Sequence, residues 1–392
     1  MKKKVLIIAN TASMILLFNR TNIDILEEAG YEVHVACNFI KGNTTSKELV
    51  EKSKMEWDKE GITEHHVPFP RTLLSFEVFK IYKQIRALLK KEQYDIVHCH
   101  TPIVSAITKL ATIGLKKTKV VHTVHGFHFF KGAPIKKWIM YYPIEKILAH
   151  LTDVMITINS EDYRLAKKHF NAKQIVYVQG VGVDTEAIAG VNADRDYLRK
   201  ELGIPKDNAI AVSVGELRDV KNHMTAVKAL AECKSKNVHY VIAGIGKLRE
   251  DILSCAKELG IEDRVHLLGF RTDIAKVLKG SDFFIFPSLR EGLPVALMEA
   301  MAAGLPAIVS NTRGIRDLIS EKGGFYFEPM DYKLLSKHID TIVNDEQLRE
   351  KMGTHNQRKV KHFDKSIIKD KLEDVLNHIE GNKERQEEKV EA

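Results

Sequence analysis

The stretch Phe286-Pro-Ser-Leu-Arg-Glu-Gly-Leu-Pro-Val-Ala-Leu-Met-Glu-Ala-Met-Ala-Ala-Gly304 contains a strand end, a loop and a helix in succession. The apolar run ends at Phe286, and Pro294 is placed to be the first helical residue, where its missing N–H group costs nothing. The helix is predicted to run from Pro294 to Ala303 and to stop at Gly304. A strand followed by a short loop and a helix is the repeating unit of a parallel α/β sheet.

Apolar runs rich in β-branched residues recur along the chain, and helical patterns separate them. The first series is Val5–Ala9, Tyr31–Cys37, Ile96–His100, Val120–Val124, Val154–Ile158 and Ile175–Val178. The second series is Ala209–Val214, Val238–Ala243, Val265–Leu267, Phe283–Phe286 and Ala307–Val309. Such runs fit strands that are buried on both faces. Two series predict two doubly wound, Rossmann-like α/β domains, with ligands bound beyond the carboxyl ends of the strands.

The composition agrees with a folded protein of about two domains, since the chain has 392 residues and 44% of them are hydrophobic. The four cysteines form no Cys-x-x-Cys pair, which argues against a disulfide framework and a thiolate zinc site. No run of about 20 apolar residues predicts a membrane span. The net charge of +8 leaves nucleic acid, anionic lipid and an anionic substrate open as partners.

Two carboxylates flank the start of the helix predicted at 294–303. A helix N-terminus attracts phosphate oxygens, and a carboxylate can accept hydrogen bonds from both hydroxyls of a diol. Glu291 and Glu299 therefore suit a nucleotide sugar, which carries a diol on each side of a diphosphate. The alternative is that Glu291 only favours the helix start and that Glu299 is solvated. Glu299 lies among apolar residues, where a charge usually has a partner.

Two cations follow the strand predicted at Ala209–Val214, in a loop that begins with Gly215. Arg218 and Lys221 could neutralise a departing diphosphate, although loop cations are often only solvated. The nearby stretch Gly244-Ile-Gly-Lys-Leu-Arg249 lacks the third glycine of a dinucleotide fingerprint, and the chain has no P-loop motif. A dehydrogenase and a P-loop ATPase are both disfavoured.

Several histidines lie in or after neighbouring strands. They are His98, His100, His122, His125 and His128. A histidine at a strand end could donate to a sugar hydroxyl or to a developing charge. A zinc site is disfavoured because no Cys/His spacing matches one and Cys99 should face away from its neighbours. A structural role in hydrogen bonding remains the alternative for each histidine.

Two cationic segments precede residue 150. Phe127–Tyr142 mixes aromatic residues with lysines, which favours a membrane interface that carries anionic lipid. Phe76–Lys91 also carries lysines but is better explained as an ordinary amphipathic helix. Nothing along the chain arranges basic and aromatic residues as a nucleic-acid-binding groove would. The expected partner is therefore an anionic membrane surface and not a nucleic acid.

The spacing Glu291-Gly-Leu-Pro followed by Glu299-Ala-Met-Ala-Ala-Gly-Leu-Pro306 resembles the E-x7-E signature of retaining family 4 glycosyltransferases. Further matches occur in the order of that family, so that the resemblance covers nearly the whole chain. They are Val214-Gly-Glu-Leu, Lys221-Asn, Ala243-Gly-Ile-Gly246, Leu268-Gly-Phe270 and His125-Gly126. The stretch His122–Pro134 resembles a bacterial branch that builds capsular and exopolysaccharide repeat units.

The resemblance implies the GT-B fold, in which two doubly wound Rossmann-like domains face a central cleft. Residues 1–185 are expected to form an acceptor-binding domain, and residues 186–363 a nucleotide-sugar-binding domain. A last helix at 364–379 is expected to cross back to the first domain. The charged tail 380–392 is expected to be disordered.

The resemblance also assigns roles to residues. The implied donor-binding residues are Gly215, Gly244, Phe270, Gly292, Leu293, Pro294, Val295 and Glu299. Glu299 is implied to bind the ribose, Glu291 the donor sugar and Lys221 the diphosphate. Residues near Phe270 would hold the base, and His125 would contact the transferred sugar.

One departure from the family concerns the cations of the diphosphate site. Where many members have Gly-Arg-Leu, this chain has Gly215-Glu216-Leu217. Arg218 is predicted to replace the missing arginine. The predicted catalytic residues are therefore Glu291, His125, Lys221 and Arg218.

The expected reaction is transfer of an N-acetylhexosamine from a UDP-sugar to a polyprenyl-diphosphate-linked glycan, with retention and without a metal or other cofactor. The chain is expected to be cytoplasmic and to associate peripherally with the inner face of the membrane. A GT-B-like UDP-sugar 2-epimerase is one alternative. A non-catalytic subunit that binds nucleotide sugars is another.

Overall fold

The computed structural model describes residues 2–70 and 75–381. Residues 382–392 of the predicted tail lie outside the described residues. The chain divides into two compact units. Unit 1 comprises the residues up to Val181 and those from Ser366 onward, and unit 2 comprises Gly182–Lys365. The sequence placed these divisions after residues 185 and 363.

Unit 1 contains a seven-stranded parallel sheet with the strand order β3-β2-β1-β4-β5-β6-β7. Its strands are β1 Lys4–Thr11, β2 Glu32–Asn38, β3 Thr63–His66, β4 Ile96–His100, β5 Lys119–Val124, β6 Val154–Thr157 and β7 Gln174–Tyr177. Its helices are α1 Ala12–Phe18, α2 Arg20–Glu28, α3 Lys47–Glu60, α4 Glu77–Glu92, α5 Pro102–Thr112, α6 Ile135–Ala149 and α7 Ser160–His169.

Unit 2 contains a six-stranded parallel sheet with the strand order β10-β9-β8-β11-β12-β13. Its strands are β8 Ala209–Val214, β9 Val238–Ala243, β10 Val265–Gly269, β11 Phe283–Phe286, β12 Ala307–Ser310 and β13 Gly324–Phe327. Its helices are α8 Thr185–Ala189, α9 Tyr197–Leu202, α10 His223–Glu232, α11 Arg249–Glu258, α12 Ile274–Lys279, α13 Val295–Ala302, α14 Ile315–Leu318, α15 Tyr332–Asn344 and α16 Glu346–Val360.

The first strand shows why the apolar runs form buried strands. Val5 and Ile7 belong to one hydrophobic cluster, whereas Leu6 and Ile8 belong to a second. Side chains alternate between the faces of a strand, so a continuous apolar run supplies a core on each side of the sheet. The last described helix, α17 Lys365–Ile379, contributes Ile368 to the first of these clusters. The chain therefore returns to unit 1 after completing unit 2.

The predicted strands are present in both units, but one edge strand in each sheet was missed. Strand β3, with the sequence Thr-Glu-His-His, is the edge of the first sheet and carries no apolar run. Strand β13 is the edge of the second sheet, has four residues and begins with Gly324. Edge strands are often short and polar, which explains why β3 was missed. Strand β13 is aromatic and as long as β11 and β12, so neither its length nor its composition explains why it was missed.

Candidate active site

The candidate site of unit 2 lies at the carboxyl edge of its sheet. Strands β9, β8, β11 and β12 are consecutive neighbours and run parallel, so the loops that follow them leave the sheet side by side. Lys221 lies in the loop after β8, and Glu291 lies in the loop after β11. The topology thus brings together side chains that are 70 positions apart in sequence.

The predicted cation and the predicted carboxylate form an ion pair. Lys221 closes one turn of 3₁₀ helix at Asp219–Lys221, and its Nζ lies 2.7 Å from Glu291 Oε1. The side chains are 24% and 12% exposed, so the pair is partly shielded from water. Lys221 Nζ also lies 5.5 Å from the centre of the Phe286 ring. An ammonium group is therefore held in place where the two loops meet.

Hydrogen bonds between the two loops fix this arrangement. Asn222 has a left-handed backbone with φ of 56°, and its Nδ2 donates to the carbonyl of Pro287 at 3.0 Å. The Leu289 amide donates to the carbonyl of Val220 at 2.8 Å. Lys221 is thus bracketed by two contacts to the loop that carries Glu291.

Gly244 allows the loop after β9 to approach the loop after β8. A Cβ atom at Gly244 would lie 1.9 Å from the carbonyl oxygen of Gly215. Above Gly215 itself lies the aliphatic part of Lys221, with Cδ 3.6 Å from the position a Cβ would take. Both predicted glycines therefore support the cation through close packing.

The start of α13 differs slightly from the prediction. Pro294 has φ −78° and ψ 117°, so it precedes the helix as its N-cap and Val295 is the first helical residue. Leu293 and Pro294 are buried, whereas Gly292 and Val295 are partly exposed. Free backbone N–H groups and the positive end of the helix dipole therefore lie directly after Glu291.

The loop after β12 is a part of the candidate site that was not predicted from the sequence. Gly314 has φ of 73°, and a Cβ atom there would lie 1.9 Å from the carbonyl oxygen of Gly292. A side chain at Gly314 would displace the Gly292 backbone. The signal was available, because this loop also follows a predicted strand.

Glu299 lies in the second turn of α13 and is only partly exposed. Burial raises the pKa of its carboxyl group from 4.5 to about 7, and the nearby Lys365 opposes this shift. The carboxylate is therefore close to half ionised at neutral pH. A buried carboxylate whose pKa is raised and whose charge is only partly compensated by a nearby cation is typical of a ligand-binding site.

One predicted catalytic residue and one predicted donor-binding residue of unit 2 are largely exposed. Arg218 is 57% exposed, and its Nη1 lies 3.1 Å from Glu216 Oε2. The proposed replacement cation is thus paired with the residue that stands in the place of the family arginine. Phe270 follows β10 at the edge of the sheet, and 51% of its surface is exposed. A flat ring is available there for stacking.

His125 lies in unit 1, after the carboxyl end of β5. Its Nε2 is 3.0 Å from His100 Nδ1, and the rings of His98 and His100 are 4.3 Å apart. Burial lowers the pKa of His125 to about 4, so its imidazole is neutral at pH 7. Among residues 2–70 and 75–381, no group of three or more His, Cys, Asp or Glu residues is arranged to hold a metal ion.

His122 and His128 occupy different surroundings from His125. His122 is buried, and its Nδ1 lies 2.9 Å from the Nζ of Lys109, which is itself completely buried. Glu145 Oε2 lies 3.7 Å from the same Nζ and balances its charge. The His128 ring stacks on Tyr141 at 4.6 Å. The buried Lys109–Glu145 pair could not be predicted, because its members come from separate helices.

Comparison with known proteins identifies the family. A model described as "Glycosyltransferase Family 4" matches residues 23–187, and one described as "Glycosyl transferases group 1" matches residues 194–359. The chain is 32% identical to EpsD of Bacillus subtilis (strain 168) over 96% of its own length and 97% of that protein. The chain belongs to glycosyltransferase family 4.

A second relative and a solved structure extend the comparison for this family 4 chain. It is 32% identical to the Escherichia coli UDP-Gal:alpha-D-GlcNAc-diphosphoundecaprenol alpha-1,3-galactosyltransferase, over 76% of this chain and 78% of that one. HepE of Anabaena, whose crystal structure contains UDP and glucose, superimposes with a TM-score of 0.77 at 18% identity, over 96% of this chain and all of HepE. The predicted GT-B fold class, with two Rossmann-like domains, is confirmed.

The cationic segments of the family 4 chain do not expose the side chains that the sequence suggested. Phe127 and Phe129 are buried in a core cluster, and Trp138 packs against it. The expectation that these rings face a membrane is therefore wrong. Aliphatic side chains are exposed along α6 instead, namely Ile135, Ile139, Met140 and Ile147.

The helix predicted at Phe76–Lys91 is α4, which is amphipathic as expected and buries Ile81, Ile85 and Leu89. It also exposes two aromatic rings. Phe76 and Phe79 at its start are 100% and 63% exposed, and Lys83 Nζ lies 4.4 Å over the Phe79 ring. Helix α4 packs against α5, and α5 packs against α6, so exposed apolar groups occur on neighbouring helices. No helix within the described residues has both the length and the apolar character to cross a bilayer.

Proposed function

We propose that this chain is a retaining, metal-independent glycosyltransferase that uses a UDP-sugar, with N-acetylhexosamines as the first candidates, and a polyprenyl-diphosphate-linked glycan. The observation that carries the proposal is the Lys221–Glu291 pair beside the start of α13. The name of the Escherichia coli relative gives a UDP-sugar donor and a diphosphoundecaprenol-linked acceptor. The UDP in HepE supports the same class of donor.

Each candidate site residue of unit 2 suits a different part of the donor. Lys221 and the free N–H groups from Gly292 to Val295 suit the diphosphate, because they combine a cation with a helix N-terminus. Glu291 accepts hydrogen bonds from hydroxyls of the donor sugar, and Glu299 accepts them from the ribose. The exposed ring of Phe270 suits the base.

The chemistry follows from this arrangement of charges. The bond between the sugar C1 and the diphosphate oxygen breaks while the acceptor hydroxyl oxygen attacks C1 from the same face, which retains the configuration. The acceptor proton passes to the departing diphosphate. Lys221 and the α13 N-terminus stabilise the charge that develops on the diphosphate, a task that metal ions perform in other enzymes.

The test is UDP release with a panel of UDP-sugars, including UDP-N-acetylhexosamines and UDP-galactose, and a membrane-extracted lipid-linked acceptor. Rapid release of UDP only when acceptor is present is expected, and Glu299→Ala should reduce it strongly. A 2-epimerase would instead act on the UDP-sugar without acceptor. A non-catalytic subunit would bind UDP and release none from any donor. Either result, or full activity of Glu299→Ala, would contradict the proposal.

Replacing Arg218 tests whether it serves as the second cation of the diphosphate site. Arg218→Ala is expected to weaken donor binding about tenfold, which corresponds to the loss of one exposed charged contact. The measurement is the Kd for UDP by calorimetry. The matched control is Arg249→Ala, because Arg249 is similarly exposed and pairs with the adjacent Glu250 at 3.7 Å. Equal affinities for the two variants would exclude this role for Arg218.

We further propose that unit 1 meets an anionic membrane through α4, α5 and α6. Residues 101–150 contain eight lysines and a single acidic residue, Glu145. Lys109 and Glu145 form a buried pair, so seven lysines of this segment remain with no acidic residue among them. Helix α6 itself carries Lys136, Lys137 and Lys146, and the exposed Ile139 follows Lys136 by three residues, the spacing of neighbours on a helix surface. An aliphatic stripe flanked by cations binds anionic lipid through both burial and charge. This location fits a protein whose acceptor is lipid-linked.

Sedimentation with vesicles tests the membrane face. Ile139→Glu is expected to reduce binding to phosphatidylglycerol-containing vesicles about tenfold, because it removes apolar burial and adds a repelled charge. Wild-type binding should fall as salt increases. The control is Met55→Glu. Met55 is 64% exposed on α3, which packs on the opposite face of the first sheet from α4 and α5 and so lies away from the proposed membrane face. Equal loss in both variants, or binding to neutral vesicles alone, would refute the proposal.

A further inference from the structure

A pair of imidazoles lies at the carboxyl ends of β4 and β5. His100 is the last residue of β4 and is completely buried, whereas His125 follows β5 and is partly exposed. His100 Nδ1 lies 3.0 Å from His125 Nε2, which is a hydrogen-bond distance. The two rings therefore share one proton, which one ring donates and the other accepts.

The other nitrogen of His100 has no such contact. Nε2 is buried and has no hydrogen-bond partner among residues 2–70 and 75–381. The next residue, Thr101, has a φ of 68°, a left-handed backbone that is strained for a β-branched residue. Such strain persists where the surrounding structure holds a residue in place, and it is concentrated at functional sites. The strained backbone thus lies at Thr101, directly after His100, where the chain leaves β4.

The orphaned nitrogen decides which ring donates. Burial lowers the pKa of both imidazoles, so each ring carries one proton. If His125 donated through Nε2, the proton of His100 would lie on Nε2 as a buried N–H group without an acceptor. If His100 donates through Nδ1, its Nε2 is left with only a lone pair. Buried N–H groups without a partner are the rarer of the two in proteins, so the second arrangement is favoured.

We propose that His100 is a positioning residue that holds the proton of His125 on Nδ1. In this arrangement His125 Nε2 accepts the hydrogen bond from His100, and His125 Nδ1–H is a donor that faces away from His100. Within the described residues, no group bonds to that nitrogen. The donor is therefore available to a ligand hydroxyl, and this last step rests on the proposed transfer of a sugar.

The proton position can be read directly by long-range ¹H–¹⁵N correlation spectra of protein labelled at histidine, without any substrate. His125 is assigned by the signals that His125→Gln removes. Its Nδ1 is expected to show the shift of a protonated nitrogen, and its Nε2 that of an unprotonated one. His100→Asn should preserve this pattern, because the asparagine amide can donate from the place of Nδ1. His100→Leu should move the proton to Nε2.

The matched control is His98→Leu. His98 lies on the same strand, is also buried and bonds Thr123 Oγ1 at 2.8 Å instead of His125, so this variant removes a comparable core histidine. It should leave the His125 signals unchanged. A protonated Nε2 in the wild type, no change in His100→Leu, or the same change in His98→Leu would overturn the proposal.

The kinetic consequence is measured separately. His100→Leu is expected to lower kcat about 100-fold with little change in KM for the donor, and His100→Asn is expected to recover most of it. Equal kcat losses in the two His100 variants would overturn the link between the proton position and catalysis. If no donor and acceptor support turnover, the proposed function fails, whereas the spectra still decide the proton position.

Discussion

Lys221→Ala is expected to lower kcat/KM for transfer from a UDP-sugar by about 100-fold to 1,000-fold. The substitution removes the partly buried cation and leaves the Glu291 carboxylate without its partner 2.7 Å away. An unpaired carboxylate beside the diphosphate would repel it, so the loss should exceed that of a single hydrogen bond. Initial rates of UDP release with saturating acceptor measure the effect, and Lys221→Arg should retain part of the activity.

The chain offers a matched control for this variant. Lys247 also forms an ion pair, with Asp219 at 2.6 Å, but its side chain is 68% exposed. Lys247→Ala should change kcat/KM less than twofold, because exposed pairs contribute little. The double variant Lys221→Ala/Glu291→Gln should lose less than the product of the single losses, since the two side chains act together. A loss in Lys247→Ala equal to that in Lys221→Ala would contradict the assigned role.

The positions of the site loops could be predicted from the sequence because one rule governs them. In a parallel sheet every strand ends at the same edge, so loops after strands gather there whatever their separation in sequence. This rule led to Lys221 and Glu291 separately. It did not show that they pair, because a contact between two loops depends on the strand order and on the conformation of each loop. The left-handed backbone of Asn222, for example, has no signal in the apolar pattern.

The burial of the aromatic residues in 127–142 shows a second limit. Rings and lysines both occur there, a composition that fits both a membrane face and a packed helix. Tertiary contacts decide between the two. Phe127 and Phe129 stack on each other with ring centres 4.8 Å apart, and both contact Phe170 at the end of α7. Composition alone could not separate these cases. The exposed aliphatic residues of α6 are identified only once its inward face is known.

The hydrogen bond between His100 and His125 could not be predicted from the sequence either, although both histidines were candidate site residues. The strand pairing between β4 and β5 sets the distance between them, and the strained Thr101 sets the direction in which the chain leaves β4. Neither feature follows from residue type, since a threonine at positive φ is uncommon. Strand ends were predictable in this protein, whereas the conformations immediately beyond them were not.

Glu299→Gln is expected to stabilise the folded protein at pH 8 while weakening the binding of UDP. The folded state raises the pKa of Glu299 from 4.5 to about 7, so it binds the proton more tightly than the unfolded state does. The resulting penalty is absent below pH 4.5, grows as the pH rises and is complete above pH 7. Its upper limit is about 3 kcal/mol. The variant should therefore unfold several degrees higher than the wild type at pH 8 and at the same temperature at pH 4.

Binding should change in the opposite direction, because glutamine cannot offer a charged acceptor to both ribose hydroxyls. UDP affinity at pH 8 is expected to fall about 10-fold to 100-fold. Wild-type affinity should decline below pH 7 relative to that of the variant, since protonation of Glu299 removes the same acceptor. Comparing both proteins in the same buffers cancels the titration of UDP itself. The control is Glu258→Gln, which alters an exposed carboxylate of the same unit. If Glu299→Gln changes neither the unfolding temperature nor the UDP affinity, Glu299 is solvated. If the variant is more stable but binds UDP more weakly, the burial of Glu299 is maintained for the ligand at a cost in stability.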